Sequence, residues 1–143
     1  MRKWRTVVVG VDGSRASRTA LTWAAAEASD HRADLVVLNV WERTILPPIG
    51  SDSVPRGDVS NAGDDVAQDL VNLIKEELGE DPGVLVQPSV RQGNAAQVLI
   101  EQSANADLLV VGTRGHGGFA GLVLGSVSQH VAAYAKCPVV VVR

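Results

Sequence analysis

The sequence predicts an α/β fold, an open parallel sheet of five strands with helices on both faces. Three observations support this prediction. Short apolar runs alternate along the chain with segments whose apolar residues recur at helical spacing. The run Leu35–Val40 is almost entirely apolar and lacks the alternation of a half-buried strand, which is typical of a parallel strand covered on both faces. Strands that alternate with helices form right-handed βαβ units, and these build an open sheet.

The first half of the chain contains two strands and two helices. Residues 6–11 form a β-branched strand that ends at Asp12-Gly13-Ser14, a turn sequence. The first helix follows, and its small residues at helical spacing let it lie close to the sheet; they include Ala16, Ala20, Ala24 and Ala28. After the second strand, 35–40, an apolar stripe predicts a second helix over 64–78 that begins with two acids, where the helix dipole favours them.

The second half repeats the alternation. A third strand is predicted at residues 84–90, a third helix from Gly93-Asn94, a fourth strand at 108–111, a fourth helix at 126–135 and a fifth strand at 138–142. In the fourth helix we expect Val127, Val131 and Tyr134 to share the apolar face.

Pro88 predicts the arrangement of the strands. Proline cannot donate to a strand ladder, so the third strand is expected at an edge of the sheet. The order 3-2-1-4-5 then reverses between the first and fourth strands. Such sheets bind ligands outside the carboxyl ends of their strands at this reversal. Asp12 and residues 112–118 flank that crevice.

A glycine-rich segment follows the fourth strand with the spacing G-x2-G-x9-G-S. A strand that leads through such a loop into a helix gathers backbone N–H groups around phosphate. We expect Gly112 and Gly115 to adopt positive φ and to allow close approach of an anion, while Gly117 and Gly118 keep the loop supple. Arg114 and His116 are candidate contacts to phosphate oxygens, with simple solvation as the alternative.

The start of the fourth helix supplies further donors. Gly125, Ser126 and Val127 would present unpaired N–H groups at the positive end of the helix dipole. Ser126 also stands three residues before Gln129, a capping-box pattern, so its hydroxyl has the alternative role of an ordinary N-cap.

Asp12 is the acid of most interest. At the end of the first strand its carboxylate is placed to accept from ribose hydroxyls or an adenine edge, or to help hold a divalent metal. The alternatives are a turn at Asp12-Gly13 or an acid at the start of a helix. Trp41 follows the second strand, where it either walls the base pocket or packs in the core.

Other phosphate-binding and signalling patterns fit less well. The P-loop pattern is absent, and the G-x-G-x-x-A match at 115–120 follows the fourth strand, whereas a dinucleotide fold requires it after the first. A phosphate-receiver fold needs an Asp after the third strand and a Lys after the fifth, where this chain has Gly93 and Arg143.

Composition narrows the remaining classes. The 143 residues, 45% of them hydrophobic, predict one domain over residues 1–143. A net charge of −3 with scattered basic residues argues against a general nucleic-acid or anionic-membrane binder. With neither a signal peptide nor an apolar stretch of about 18 residues, the chain is expected in the cytoplasm. Cys137, the one cysteine, is expected to be a small buried residue rather than a redox group.

The segment Val110–Ser128, VVGTRGHGGFAGLVLGSVS, resembles the signature of the universal stress protein family in its ATP-binding branch. The resemblance extends to Val8–Ser14, Ala106–Val111 and Cys137–Val142, and so covers nearly the whole chain. It implies a three-layer sandwich with the strand order 3-2-1-4-5, with two helices on each face, with ATP and Mg²⁺ in the crevice, and with a homodimer.

The resemblance also implies roles for particular residues. Asp12 and the backbone around Gly10, Val11 and Val40 would meet adenine and ribose. Ribose and the α-phosphate would contact Gly112, Thr113, Arg114 and Gly115. The outer phosphates would contact Gly125, Ser126, Val127 and Ser128.

Two further expectations concern the surroundings of the site. Residues 138–142 form a short apolar edge strand with no inward charge, which invites pairing with a second copy. Residues 41–63 are long for a connection and rich in Pro, Ser and Gly, so they are a candidate flap over the nucleotide, with disorder as the alternative.

Two functional classes stay open. The first is a nucleotide-dependent regulator of the stress response, and the second is a slow ATPase or related hydrolase. Binding is favoured, since the glycine-rich loop offers no obvious general base at its phosphate end.

Overall fold

One parallel sheet organises the computed structural model, which describes residues 3–42, 62–113 and 124–143. In chain order the elements are β1 (Thr6–Gly10), α1 (Arg15–His31), β2 (Asp34–Trp41), α2 (Ala62–Leu78), β3 (Val86–Gln92), α3 (Ala95–Ser103), β4 (Leu108–Gly112), α4 (Ser126–Tyr134) and β5 (Val139–Val142). The strands lie in the order β3-β2-β1-β4-β5. The predicted fold class and strand order are confirmed.

Alternate side chains of the central strands build two cores, one on each face of the sheet. Val7, Val9 and Leu35 pack on the face covered by α1 and α2. Val8 and Leu109 pack on the opposite face, against α3 and α4. Because both faces are covered, the central strands are apolar along their length, and the predicted three-layer sandwich is confirmed.

Pro88 lies in an edge strand, as predicted. It stands opposite Val37 in the parallel pairing of β3 with β2, and β3 has no other neighbour in the sheet of described residues. Because none of the described strands lies on the outer side of β3, the missing N–H of Pro88 removes no hydrogen bond between strands there.

Several element ends differ from the sequence prediction. Pro138 precedes β5, although its carbonyl accepts a bond of 3.0 Å from the Leu109 amide. The expected inward position of Tyr134 is wrong: Val131 is fully buried, but Tyr134 is the last residue of α4 and exposes 66% of its surface. The apolar face of α4 thus ends before its last turn is complete.

Cys137 is half-buried against the core between α3, α4 and the sheet, in keeping with its expected packing role. Burial, with a smaller contribution from the charge of Asp107, raises the pKa of the thiol above its usual value. The thiol therefore stays protonated at neutral pH, the form that is unreactive as a nucleophile.

Among the described residues no helix is long and apolar enough to cross a membrane.

Candidate functional site

The carboxyl ends of β1, β2 and β4 surround a cavity of about 90 Å³ at the reversal of strand order. It is lined by Gly10, Val11, Asp12, Ser17, Leu38, Val40, Ala95, Leu99, Val111, Gly112, Val127 and Ser128. Seven predicted site residues are thus brought together here: Gly10, Val11, Asp12, Val40, Gly112, Val127 and Ser128. Thr113, Gly125 and Ser126 adjoin them along the chain. Arg114, Gly115, His116, Gly117 and Gly118 lie outside the described residues.

Asp12 lies in a turn, which is one of the alternatives considered for it, while its contact with a nucleotide stays a prediction. Its Oδ1 accepts from the Ser14 amide at 2.9 Å, and Gly13 at φ 84° reverses the chain, so the residue belongs to a turn. The same half-buried residue lines the cavity. The turn therefore fixes the carboxylate where the crevice opens.

Ser17 was not predicted to be a site residue. Its side chain stabilises the turn at Asp12-Gly13 through two hydrogen bonds. Its buried hydroxyl accepts from the Asp12 amide at 3.2 Å and donates to the Ser14 carbonyl at 3.0 Å. Ser14 in turn caps α1 by accepting from the Ser17 amide at 3.3 Å. The available sequence signal was the pair of serines three positions apart after Asp12-Gly13.

Gly112 is required for packing. A Cβ at this position would lie 2.8 Å from the backbone carbon of Ala16 and 2.9 Å from its carbonyl oxygen. The expectation of a positive φ at Gly112 is wrong, since among the described glycines only 13, 79, 83 and 93 adopt one. The glycine lets the start of α1 rest directly on the end of β4.

The start of α4 differs from the capping-box prediction. Gly125 is the N-cap, with no side-chain capping bond, and Ser126 is the first helical residue, so Ser126 as N-cap is wrong. Gln129 does not reach back to complete the box, because its Nε2 donates to the Leu124 carbonyl at 3.1 Å. The first amides of α4 are therefore left without a capping side chain.

Two groups assigned to phosphate by the resemblance are used within the protein. The Gly125 amide donates to the Thr113 carbonyl at 2.6 Å, and the Ser128 hydroxyl donates to the Gly112 carbonyl at 2.5 Å. These bonds tie the start of α4 to the end of β4. The first intrahelical bond of α4 runs from the Gln129 amide to the Gly125 carbonyl. Among the described residues the amides of Ser126, Val127 and Ser128 are therefore the helix donors of the first turn that have no intrahelical acceptor.

A second cleft, of about 260 Å³, adjoins this helix start. Glu42, Asn94 and His130 line it together with Ser126 and Val127. His130 Nδ1 lies 3.0 Å from the Ser126 carbonyl, which only accepts, so Nδ1 carries the proton and Nε2 is unprotonated in the neutral ring. His130 is an exposed residue. Glu42 was not predicted as a site residue, although it follows β2 at the ligand-binding end of that strand.

Trp41 lies in a larger cavity of about 610 Å³ between the end of β2 and the helices α1 and α2. This cavity shares Asp12 and Val40 with the first one, and Trp41 does not line the first. Residues 43–61, which make up most of the candidate flap, lie outside the described residues.

The donor set suits a metal–nucleotide complex better than a bare metal site. Within the described ranges no group of three or more His, Cys, Asp or Glu is placed to hold an ion. Mg²⁺ keeps several waters and commonly takes one or two carboxylates together with substrate phosphates. Asp12 fits that requirement.

Comparison with known proteins identifies the family. The family model described as the universal stress protein family matches residues 3–143. A universal stress protein of Mycolicibacterium smegmatis is 39% identical over 142 residues, which cover 96% of this chain and 45% of that protein. The chain spans about half the length of the curated relatives it matches.

Solved structures agree. The universal stress protein UspA of Lactobacillus plantarum has a TM-score of 0.84 at 23% identity, with both chains covered completely, and shows the same fold. A crystal structure of a universal stress protein in complex with cAMP has a TM-score of 0.72 at 28% identity, covering 99% of this chain and 98% of the other. By fold, family model and relatives alike, the chain belongs to the universal stress protein family.

Proposed function

We propose that this chain binds an adenine nucleotide, ATP with Mg²⁺, at the crevice between β1 and β4, and that occupancy regulates its part in the stress response. The observation that carries the proposal is the α4 start, whose uncapped amides adjoin the cavity that Asp12 lines. A helix N-terminus without a capping side chain favours phosphate through its N–H groups and its dipole. The cAMP complex of a relative supports an adenine nucleotide as the class of ligand.

The residues that line the cavity indicate how the nucleotide would be oriented, with its base and ribose at one end and its phosphates at α4. Asp12 and Val40 stand at the end shared with the larger cavity, where ribose hydroxyls and the base would meet a carboxylate and backbone groups. Gly112 and Thr113 lie between that end and α4. The phosphates would then reach Ser126 and Val127, with Arg114 and Gly115 contributing from the loop.

Regulation by binding suits this geometry better than efficient catalysis. The described residues at the helix start contribute mainly backbone donors, which hold phosphate but do not activate water. We propose that ATP changes which partners the protein engages, as a homodimer formed through residues 138–142. The cytoplasmic location stays a prediction from the sequence.

The experiment removes one backbone donor without disturbing the helix. Proline is well tolerated at the first position of a helix, and Gly125, at φ −74° and ψ 167°, has the extended conformation that a residue before proline adopts. Ser126→Pro therefore deletes a single N–H at the proposed phosphate site. We expect ATP affinity, measured by calorimetry, to fall about ten-fold, because a hydrogen bond to a charged group is lost.

The matched control is Ser126→Ala, which removes the exposed hydroxyl and keeps the amide. It should bind ATP as the unmodified chain does. Equal affinity of the proline and alanine variants would contradict phosphate binding at this helix.

Slow hydrolysis is the second candidate, and the cleft beside Ser126 is the observation that favours it. Glu42 and the unprotonated Nε2 of His130 are groups able to take a proton from water next to the proposed phosphates. If they do so, purified protein releases ADP from ATP and Mg²⁺, and Glu42→Gln lowers the rate at least ten-fold while ATP still binds. ADP release that is equal in the two proteins would remove this candidate.

A further inference from the structure

The turn at Asp12-Gly13 is stabilised by Arg18 as well as by the hydrogen bonds of Ser17. Gly13, at φ 84°, presents its carbonyl to Arg18, whose Nε donates to it at 3.3 Å. Ser17 secures the other side of the turn through the Asp12 amide. The position of Asp12 therefore depends on where the Arg18 guanidinium lies.

Arg18 is itself fixed by the neighbouring helix. Its Nη1 donates to Glu77 Oε1 at 2.9 Å and to Glu76 Oε2 at 3.1 Å, both in the last turn of α2. The guanidinium is always charged in a protein, and the bonds to Glu77 and then to Glu76 raise its pKa further. Glu77 is the better shielded partner, with 28% of its side chain exposed against 62% for Glu76.

These three charges oppose the dipoles of their own helices. Arg18 lies near the N-terminus of α1, where a positive charge is unfavourable, and the glutamates lie at the C-terminus of α2, where negative charges are unfavourable. Neither helix gains from its own charge. The arrangement is favourable only when α1 and α2 are joined through Arg18.

We propose that Arg18 is a positioning residue for the nucleotide site, coupling the Asp12 turn to α2 through Glu77. The inference rests on the proposed function. Arg18 does not line the cavity at the end of β1, where Asp12 and Ser17 do, but it lines the adjoining cavity of about 610 Å³. Its bond to the Gly13 carbonyl is the contact through which it positions Asp12. Loss of the bond between Glu77 and Arg18 should therefore lower nucleotide affinity as much as loss of the Arg18 side chain.

A double-mutant cycle tests this coupling, with ATP and Mg²⁺ as the probe and calorimetry as the readout. Arg18→Gln and Glu77→Gln should each lower ATP affinity about five-fold, the lower range of coupling between linked sites. The double variant should lose no more than either single variant, because all three break one connection. Glu27→Gln is the control, since it changes the carboxylate that lies 3.3 Å from His31 Nε2 near the other end of α1.

Three results would overturn the proposal. Arg18→Gln with unchanged affinity excludes any role in binding. A loss with Arg18→Gln and none with Glu77→Gln indicates direct contact of Arg18 with the phosphates. Losses that add in the double variant show that the two residues act separately.

Amide hydrogen exchange separates this proposal from the proposed function. The Asp12 and Ser14 amides are bonded within the turn, so Arg18→Gln and Glu77→Gln should speed their exchange without nucleotide, whereas Glu27→Gln should not. Unchanged exchange overturns the positioning role even if ATP binds. If both variants speed the exchange but the unmodified chain binds no adenine nucleotide, the proposed function is contradicted. The positioning of the Asp12 turn by Arg18 and Glu77 is then still supported.

Discussion

At the scale of single residues, the site depends on small groups that permit close contacts. Gly112 has no side chain to keep α1 away from β4, and the Ser128 hydroxyl binds the Gly112 carbonyl from the other side. Asp12 is held by its own turn, in which its Oδ1 accepts from the Ser14 amide. Packing and short hydrogen bonds within the chain thus position the residues that frame the crevice.

Replacing Gly112 by alanine tests this packing. The added Cβ would meet backbone atoms of Ala16 at less than 3 Å, and backbone cannot give way as a flexible side chain does. We expect Gly112→Ala to lower the free energy of unfolding by about 1–3 kcal/mol, the usual cost of overpacking, as measured by urea denaturation.

Gly63→Ala provides the comparison. It places a Cβ 3.8 Å from the Trp41 ring, an ordinary contact, in a helix where alanine is favoured over glycine. That variant should be neutral or more stable. If Gly112→Ala unfolds at the same urea concentration as the unmodified chain, the packing account of Gly112 is wrong.

At the scale of elements, the sequence predicted type and order well, because each depends on local patterning. Alternating apolar runs gave all nine described elements, and Pro88 identified an edge strand. Helix starts were less predictable. The Ser126–Gln129 spacing matches a capping box, yet the Gln129 side chain binds Leu124 instead, and spacing alone does not distinguish these outcomes.

The sequence did not predict the parts of the site where residues from distant elements come together. Glu42, Asn94 and His130 come from three different parts of the chain and meet only because the end of β2 lies beside the starts of α3 and α4. The contact of Gly112 with Ala16 and the ion pair of Arg18 with Glu77 of α2 also join residues that are distant in the sequence. None of them has a local sequence signal, whereas Asp12 and the glycine spacing do.

At the scale of the whole molecule, the β5 edge predicts association. The Pro138 carbonyl accepts from the Leu109 amide in β4, and the Val142 carbonyl accepts from the amide of Thr113 directly after β4, both at 3.0 Å. Alternate residues of β5 therefore face β4, and the N–H of Val141 points away from it. The edge is apolar and half-buried along its length. In the sheet of described residues β5 pairs only with β4, and edge groups that face away from a sheet invite a second chain.

Val141→Pro tests the edge, because proline is tolerated at an edge strand when its missing N–H faces outward. Light scattering at tens of micromolar should show a dimer for the unmodified chain and a monomer for the variant. An unmodified chain that stays monomeric under these conditions contradicts pairing through residues 138–142.

Native mass spectrometry of the folded chain with ATP and Mg²⁺ tests nucleotide binding at the crevice without any intermediate step. We predict one retained adenine nucleotide per chain for the unmodified protein and for Ser126→Ala, with marked loss for Ser126→Pro. The claim is contradicted if the unmodified chain retains no adenine nucleotide, or if the proline variant retains it equally well.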